Sequence, residues 1–292
     1  MAANTKVYEM VTDRIISELE KGNIPWQKPW TGSINGAFNR VSKKSYSIMN
    51  QMLLSKPGEY ATFKQWKDLG GKIKKGAKSE IVVFWKILSV VEEQDSEQEG
   101  QEEGAKKVKN IPLLKYYNVF HIDDVEGVEP LKEKRFATDE DKTAQEIMDE
   151  YLEREHIQLR HTDKNRAFYS PSFDYINLPE IEQFNSQAEY YSTAFHEMTH
   201  STGHADRLNR LDTGIAAAAF GSETYSKEEL VAEIGAATLV NYTGLETDKS
   251  FRNSAAYIQS WLKALKNDKK MIVSAASKAD KAVSFILGIE TE

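Results

Sequence analysis

Residues 189–204 read EYYSTAFHEMTHSTGH, and at the centre of that stretch stands His196-Glu197-Met198-Thr199-His200. The surrounding pattern predicts a helix from about Ser186 to Thr202. On a helix, positions i and i+4 lie one above the other, so the His196 and His200 imidazoles share a face and can hold one metal ion. Glu197 follows the first histidine and can serve a metal-activated water as general base. Imidazole meets the requirement that a ligand be unprotonated, and a bound cation lowers the pKa of water toward ~7. The same spacing also arises by chance on helices whose histidines only pack or face solvent. Here half of the chain's six histidines, His196, His200 and His204, fall within nine residues, and carboxylates that can complete a site follow them.

Three side chains compete for the third ligand position. Glu229 lies in Glu228-Glu229-Leu230-Val231-Ala232-Glu233, inside a predicted helix over Glu228 to Tyr242. Glu233 comes one turn later and can orient a histidine from behind, whereas Glu228 points about 100° away from Glu229 on a regular helix. This pattern resembles the thermolysin-type arrangement. Asp206 closes the run HEMTHSTGHAD, which is similar to the metzincin pattern with aspartate in place of its last histidine. His204 is the third candidate and matches no zincin spacing. Two histidines and one carboxylate suit Zn2+, with Mn2+ as the second candidate. Tyr225, just before the glutamate helix, is either a packing residue or a phenol that donates to an oxyanion. Asp206, Arg207 and Arg210 are also candidates for ion pairs that fix the loop after the metal helix.

The chain has 292 residues and a net charge of -7, which hides a split. Residues 1–86 carry 15 Lys and Arg against 7 Asp and Glu, while the remainder is strongly acidic. Such asymmetry points to two domains with different partners. Between them lies Glu92 to Glu103, EEQDSEQEGQEE, with seven carboxylates and no base. It interrupts two strand-like runs, Ile81 to Val91 and Lys109 to His121, and reads as a long loop joining them as a hairpin. The division falls near residue 130, giving domains 1–130 and 131–292. The expected fold class is α+β, with an α+β first domain and a helix-rich second one. Helices are predicted over residues 4–21, 50–54, 62–69, 138–154, 250–266 and 270–286, and two short strands within 166–178.

Composition excludes whole function classes. With no cysteine, disulfide scaffolds, iron–sulfur clusters and thiol nucleophiles are ruled out. No apolar run reaches ~18 residues, which leaves no membrane-spanning helix in the sequence pattern. The expected location is the cytoplasm. In residues 21–86 bases and aromatics interleave: Trp26, Lys28 and Trp30, then Asn39, Arg40, Lys44, Tyr46 and Asn50, then Lys72, Lys74 and Lys75. Single-stranded nucleic acid is held by such a combination of cations and stacking platforms. The competing reading is a solvated lysine face over core tryptophans, which is the expectation for Trp66 and Trp85. The run Gly71 to Ser79 lacks the Gly-Lys-Ser/Thr ending of a phosphate loop.

Taken together, the chain resembles the ArdC-type antirestriction family of plasmids and conjugative elements over nearly its whole length. The N-terminal matches are Ile24 to Trp30, Asn39 to Asn50, Thr62 to Trp66, Gly70 to Gly76 and Tyr117 to Phe120; the C-terminal ones are Ala167 to Pro171, His196 to His204, Arg207 to Arg210 and Glu229 to Ala237. Lys43 and Ile48 stand where that family usually carries glycine. The resemblance implies a single-stranded-DNA-binding domain, a zincin-like metallopeptidase domain with a metal at the HExxH site, and protection of incoming DNA from host restriction. Two other functions compete with it: a zinc metallopeptidase of narrow specificity delivered to DNA-associated proteins, and a pure DNA-binding module whose metal is structural.

Overall fold

The computed structural model describes residues 2–28, 36–92, 107–131, 143–163, 166–211, 223–245 and 255–289. Helix α1 (Ala2–Glu20) buries Val7, Val11, Ile15 and Leu19, the four-residue stripe read from the sequence. Gly22 ends it in the left-handed region, φ 82°, where its N–H returns to the Leu19 carbonyl. A 3-10 turn, Pro25–Gln27, follows. The N-terminal sheet has the order β1-β2-β5-β4. Its strands are β1 (Ala37–Asn39), β2 (Gly58–Thr62), β4 (Glu80–Glu92) and β5 (Lys107–His121). β4 and β5 form the expected hairpin, paired from Glu80↔Val119 to Glu92↔Lys107. Most of the acidic loop, 93–103, lies outside the described residues.

Short elements complete this half. Helix α2 (Ile48–Leu53) precedes β2, and α3 (Phe63–Asp68) follows it with a capping box between Thr62 and Gln65. Strands β3 (Lys72–Ile73) and β6 (Val125–Glu126) make a two-residue ribbon. Strands β1 and β2 were not legible in the sequence: each is short and bounded by turns. In the turn after β1, Lys43 takes φ 58°, a conformation that favours glycine, at one of the two positions where the resembling family carries it.

In the second half, Thr143 and Glu146 cap α4 (Ala144–Arg154). Strands β7 (Gln158–Arg160), β8 (Phe168–Ser170) and β9 (Tyr175–Asn177) form a sheet of order β7-β9-β8. Helices α5 (Gln187–Ser201), α6 (Glu223–Tyr242), α7 (Ala255–Asn267) and α8 (Met271–Leu287) pack beside it. The architecture is thus two-domain and α+β. Among the described residues no helix is long and apolar enough to cross a membrane.

The main hydrophobic core runs across both halves, from α1 and α2 to α4–α8. Trp26 is fully buried and meets Trp261 edge-on at 6.3 Å. Polar contacts join the halves too: Thr12 Oγ1 donates to the Lys269 carbonyl at 2.7 Å, and Asn241 Nδ2 to the Lys28 carbonyl at 2.8 Å. The tryptophan expectations divide. Trp66 is buried, its Nε1–H donating to the Phe120 carbonyl. Trp85, expected in the core, is instead 49% exposed, because beyond α1 the hairpin has no layer above that position among the described residues. Asn50 is buried and grips Val83 at both backbone groups, Nδ2 to the carbonyl at 2.9 Å and Oδ1 from the N–H at 2.7 Å. Asn50→Ala strands two buried backbone groups, so chemical denaturation should show a loss of roughly 2–4 kcal/mol.

Candidate metal centre and nucleic-acid face

The site forms where α5 crosses α6. Gly235 permits the crossing: a Cβ there would lie 2.7 Å from the Thr199 side chain. The close approach carries Glu229 to the two histidines. His196 Nε2 lies 3.1 Å from His200 Nε2, and the Glu229 carboxylate oxygens lie 3.5 and 3.3 Å from those nitrogens. Among the described residues this is the one group of three or more His, Cys, Asp or Glu whose donor atoms all fall within 4.8 Å of one another. Two imidazoles and a carboxylate converging in this way fit a divalent cation of the zinc or manganese kind.

Behind each imidazole stands another carboxylate. Glu233 Oε1 lies 3.9 Å from His196 Nδ1, and Tyr257 donates its hydroxyl to Glu233 Oε2 at 3.0 Å. Glu228 Oε1 lies 3.6 Å from His200 Nδ1 and 2.9 Å from Arg210 Nη2. Arg210 also donates to Thr202 Oγ1 and to the Thr199 carbonyl, which holds the pair against α5. Such partners orient a ligating histidine by fixing which nitrogen faces the metal. Electrostatics follows the same layout. Burial disfavours the charged form of His200, but Glu228 and Glu229 outweigh it and push its pKa up to about 10. Burial likewise opposes ionisation of Glu229, and the two histidines overcome it and hold the carboxyl well below the usual range. The cluster therefore favours positive charge between its donors.

Glu197 is buried, and its Oε2 accepts the Tyr169 N–H at 2.8 Å. The carboxylate is thereby tied to strand β8. That strand is held by a clamp: Tyr169 donates its hydroxyl to Asp174 Oδ1 at 2.7 Å, and Arg207 pairs with Asp174 and donates to the Tyr169 hydroxyl at 3.1 Å. Arg207 Nε also donates to the Ser201 carbonyl, so the clamp joins the β8–β9 turn to the end of α5. Arg207 and Arg210 are the loop-fixing residues anticipated from sequence. Their partners Asp174 and Glu228 were missed, because nothing local marks a pairing across 33 or 18 positions.

Asp206 is not at the centre. Its carboxylate is 89% exposed and lies 3.5 Å from His204 Nδ1, because the chain turns back immediately after α5, with the Leu211 N–H on the Gly203 carbonyl. His204 also lies outside the cluster. Tyr225 sits in the early turns of α6, where its side chain falls outside the described part.

The sequence-predicted nucleic-acid residues scatter. Trp26 and Asn50 are core side chains, and a base cannot stack on a ring with no exposed surface. Tyr46 is buried against Tyr60. Lys28 Nζ donates to the Met52 and Leu54 carbonyls at 2.8 and 2.9 Å, and burial pulls its pKa down. Arg40 pairs with buried Glu59. Asn39 Oδ1 accepts from the Val41 and Ser42 N–H groups and so shapes its turn. Lys44, Lys72, Lys74 and Lys75 are exposed, with Lys74 Nζ on the Asp123 carbonyl. Trp30 lies outside the described residues. On the β4–β5 hairpin, the exposed aromatics outside the set of candidate nucleic-acid residues are Phe84, Trp85, Tyr116 and Tyr117.

Comparison with known proteins agrees with this layout. Residues 5–120 match the N-terminal domain of anti-restriction factor ArdC, and residues 146–278 match the zincin-like metallopeptidase family MPTase-PolyVal. The DNA primase TraC of Escherichia coli is 35% identical over 97% of this chain, but the chain spans only 27% of that primase. The uncharacterized protein y4eC of Sinorhizobium fredii is 29% identical, covering 97% of this chain and 92% of its own length. The metal-free crystal structure of the antirestriction ArdC protein from plasmid R388 superposes with a TM-score of 0.70 at 34% identity, over 97% of this chain and 99% of that one. Its Mn(II)-bound structure gives the same TM-score over 96% of this chain and 97% of that one. With one third of its residues shared over almost the full length of both chains, this chain belongs to the ArdC antirestriction family.

Proposed function

We propose that this chain is a single-stranded-DNA-binding antirestriction protein of the cytoplasm that carries a peptidase-like metal centre, with His196, His200 and Glu229 as ligands and Glu197 as general base. The carrying observation is the convergence of those three donors within 4.8 Å. Buried Glu197 lies one residue after the first of them, on the same helix. A bound divalent cation would supply Lewis-acid polarisation of a carbonyl and of water. Glu197 accepts the proton at its carboxylate, and the Tyr169 N–H holds that carboxylate in place. Glu228 and Glu233 keep the histidines turned inward. Zn2+ suits the donor set, and the Mn(II)-bound relative supports Mn2+ as the alternative occupant.

Glu197→Gln separates catalysis from scaffolding. It removes the base while leaving every ligand, so metal content measured by mass spectrometry stays at the parent level. Any peptide cleavage should fall about 100-fold or more. Loss of DNA protection in the variant assigns protection to the peptidase chemistry; full protection assigns it to DNA binding alone and overturns the catalytic part of the reading.

A further inference from the structure

The β4–β5 register sorts the hairpin side chains onto two faces. Val82 opposes Tyr117, Phe84 opposes Lys115, and Lys86 opposes Leu113, so these share one face. Val83 with Tyr116, and Trp85 with Leu114, share the other. That second face packs on α1: Val83 and Leu114 join the main core, and Tyr8 meets Trp85 at 6.3 Å. Over the first face, Tyr46 covers the base, its ring 6.5 Å from Tyr60 and 6.2 Å from Phe84. Further along, Phe84 is 46% and Tyr117 45% exposed, their rings 6.0 Å apart.

Among the described side chains of β4 and β5, charge on this face is of one sign where the rings are exposed. Lys115 sits opposite Phe84, and Lys86 lies two residues farther along the strand. The one carboxylate of that face among the described side chains of β4 and β5 is Glu80, at the covered base, where it is engaged by Arg14, Ser55 and Tyr60. The turn carrying exposed Lys43 and Lys44 borders the face, since Asn39 Nδ2 reaches the Tyr46 hydroxyl at 3.4 Å.

We propose that this face is the stacking platform for single-stranded DNA, with Phe84 and Tyr117 receiving bases and Lys86 and Lys115 meeting the phosphates. The inference rests on the single-stranded-DNA reading above and moves the contact from the Trp26 turn to the hairpin. Unpaired bases present π-faces that half-exposed rings can cover, whereas a duplex keeps its bases stacked on one another. Lysines interleaved with the rings complement the phosphate backbone.

The test is a fluorescence-anisotropy titration of labelled oligo(dT) with the full chain at several salt concentrations. Phe84→Ala combined with Tyr117→Ala should weaken binding about 100-fold with an unchanged salt slope, since stacking releases no ions. Lys86→Gln combined with Lys115→Gln should weaken it and reduce the slope of log K against log salt by about 1.4. Trp85→Ala, on the opposite face, should bind like the parent. Thermal melting confirms that each variant is folded. Parent binding that survives both double substitutions overturns the platform and leaves DNA binding intact. Absence of parent binding overturns both readings. A shift in sedimentation on substituting Phe84 and Tyr117, without a change in DNA affinity, makes the face an interface between copies and overturns the platform.

Discussion

Glu229→Ala loses the cation, and Asp206→Ala keeps it. Glu229 supplies the only carboxylate among the three converging donors, 3.5 and 3.3 Å from the two imidazole nitrogens. Asp206 stands in solvent beside His204. Loss of a partner behind a ligand typically costs about 10–100-fold in metal affinity, so loss of the ligand itself should exceed that range. Calorimetric titration with Zn2+ and with Mn2+ measures it. Parent-level affinity in Glu229→Ala would place the third ligand elsewhere and remove the thermolysin-like reading of the centre. A melting curve on the same sample separates ligand loss from unfolding.

Trp26→Ala destabilises the whole protein rather than DNA binding. The indole is fully buried and packs on Trp261 of α7, so truncation opens a large cavity at the seam between the N-terminal turn and the C-terminal helices. Losing a buried tryptophan costs about 3–5 kcal/mol. In a chain of this size that lowers Tm by roughly 10 °C. Circular dichroism melting reads the shift, and an oligonucleotide titration well below the new Tm should return the parent's affinity. The opposite pattern, an unchanged Tm with lost affinity, would return Trp26 to the role of stacking platform.

These two expectations concern positions at which sequence reasoning stood differently. For the metal centre, the sequence carried the helix, the HExxH face and the glutamate helix, with Glu229, Asp206 and His204 as candidates for the third ligand. It could not show Glu228 behind His200, because on α6 Glu228 does point away from Glu229, and its use depends on Arg210 arriving from another loop. For the nucleic-acid residues, composition drew attention to bases and aromatics in the first domain. It did not distinguish rings inside the core from rings outside it. Trp26 stands in a polar, proline-bounded turn and Trp85 in an apolar strand, and burial reversed the two expectations.

By itself, then, the sequence determined what depends on residues within about one or two turns of each other. The stripe of α1, the helix starts near Thr62 and Ser186 and the stacked pair His196 and His200 are of this kind. Their energies come from backbone periodicity and neighbouring side chains, which a linear pattern records. Tertiary structure alone decided which carboxylate turns to the histidines, which arginine holds Glu228, which tryptophan is enclosed and which hairpin face stays open. Each of those depends on an element brought from far along the chain, such as Lys269 against Thr12 or Asn241 against Lys28. Close approach at Gly235 illustrates the reason: a glycine in a helix reads as a weakness until the partner helix that needs its missing Cβ is in place.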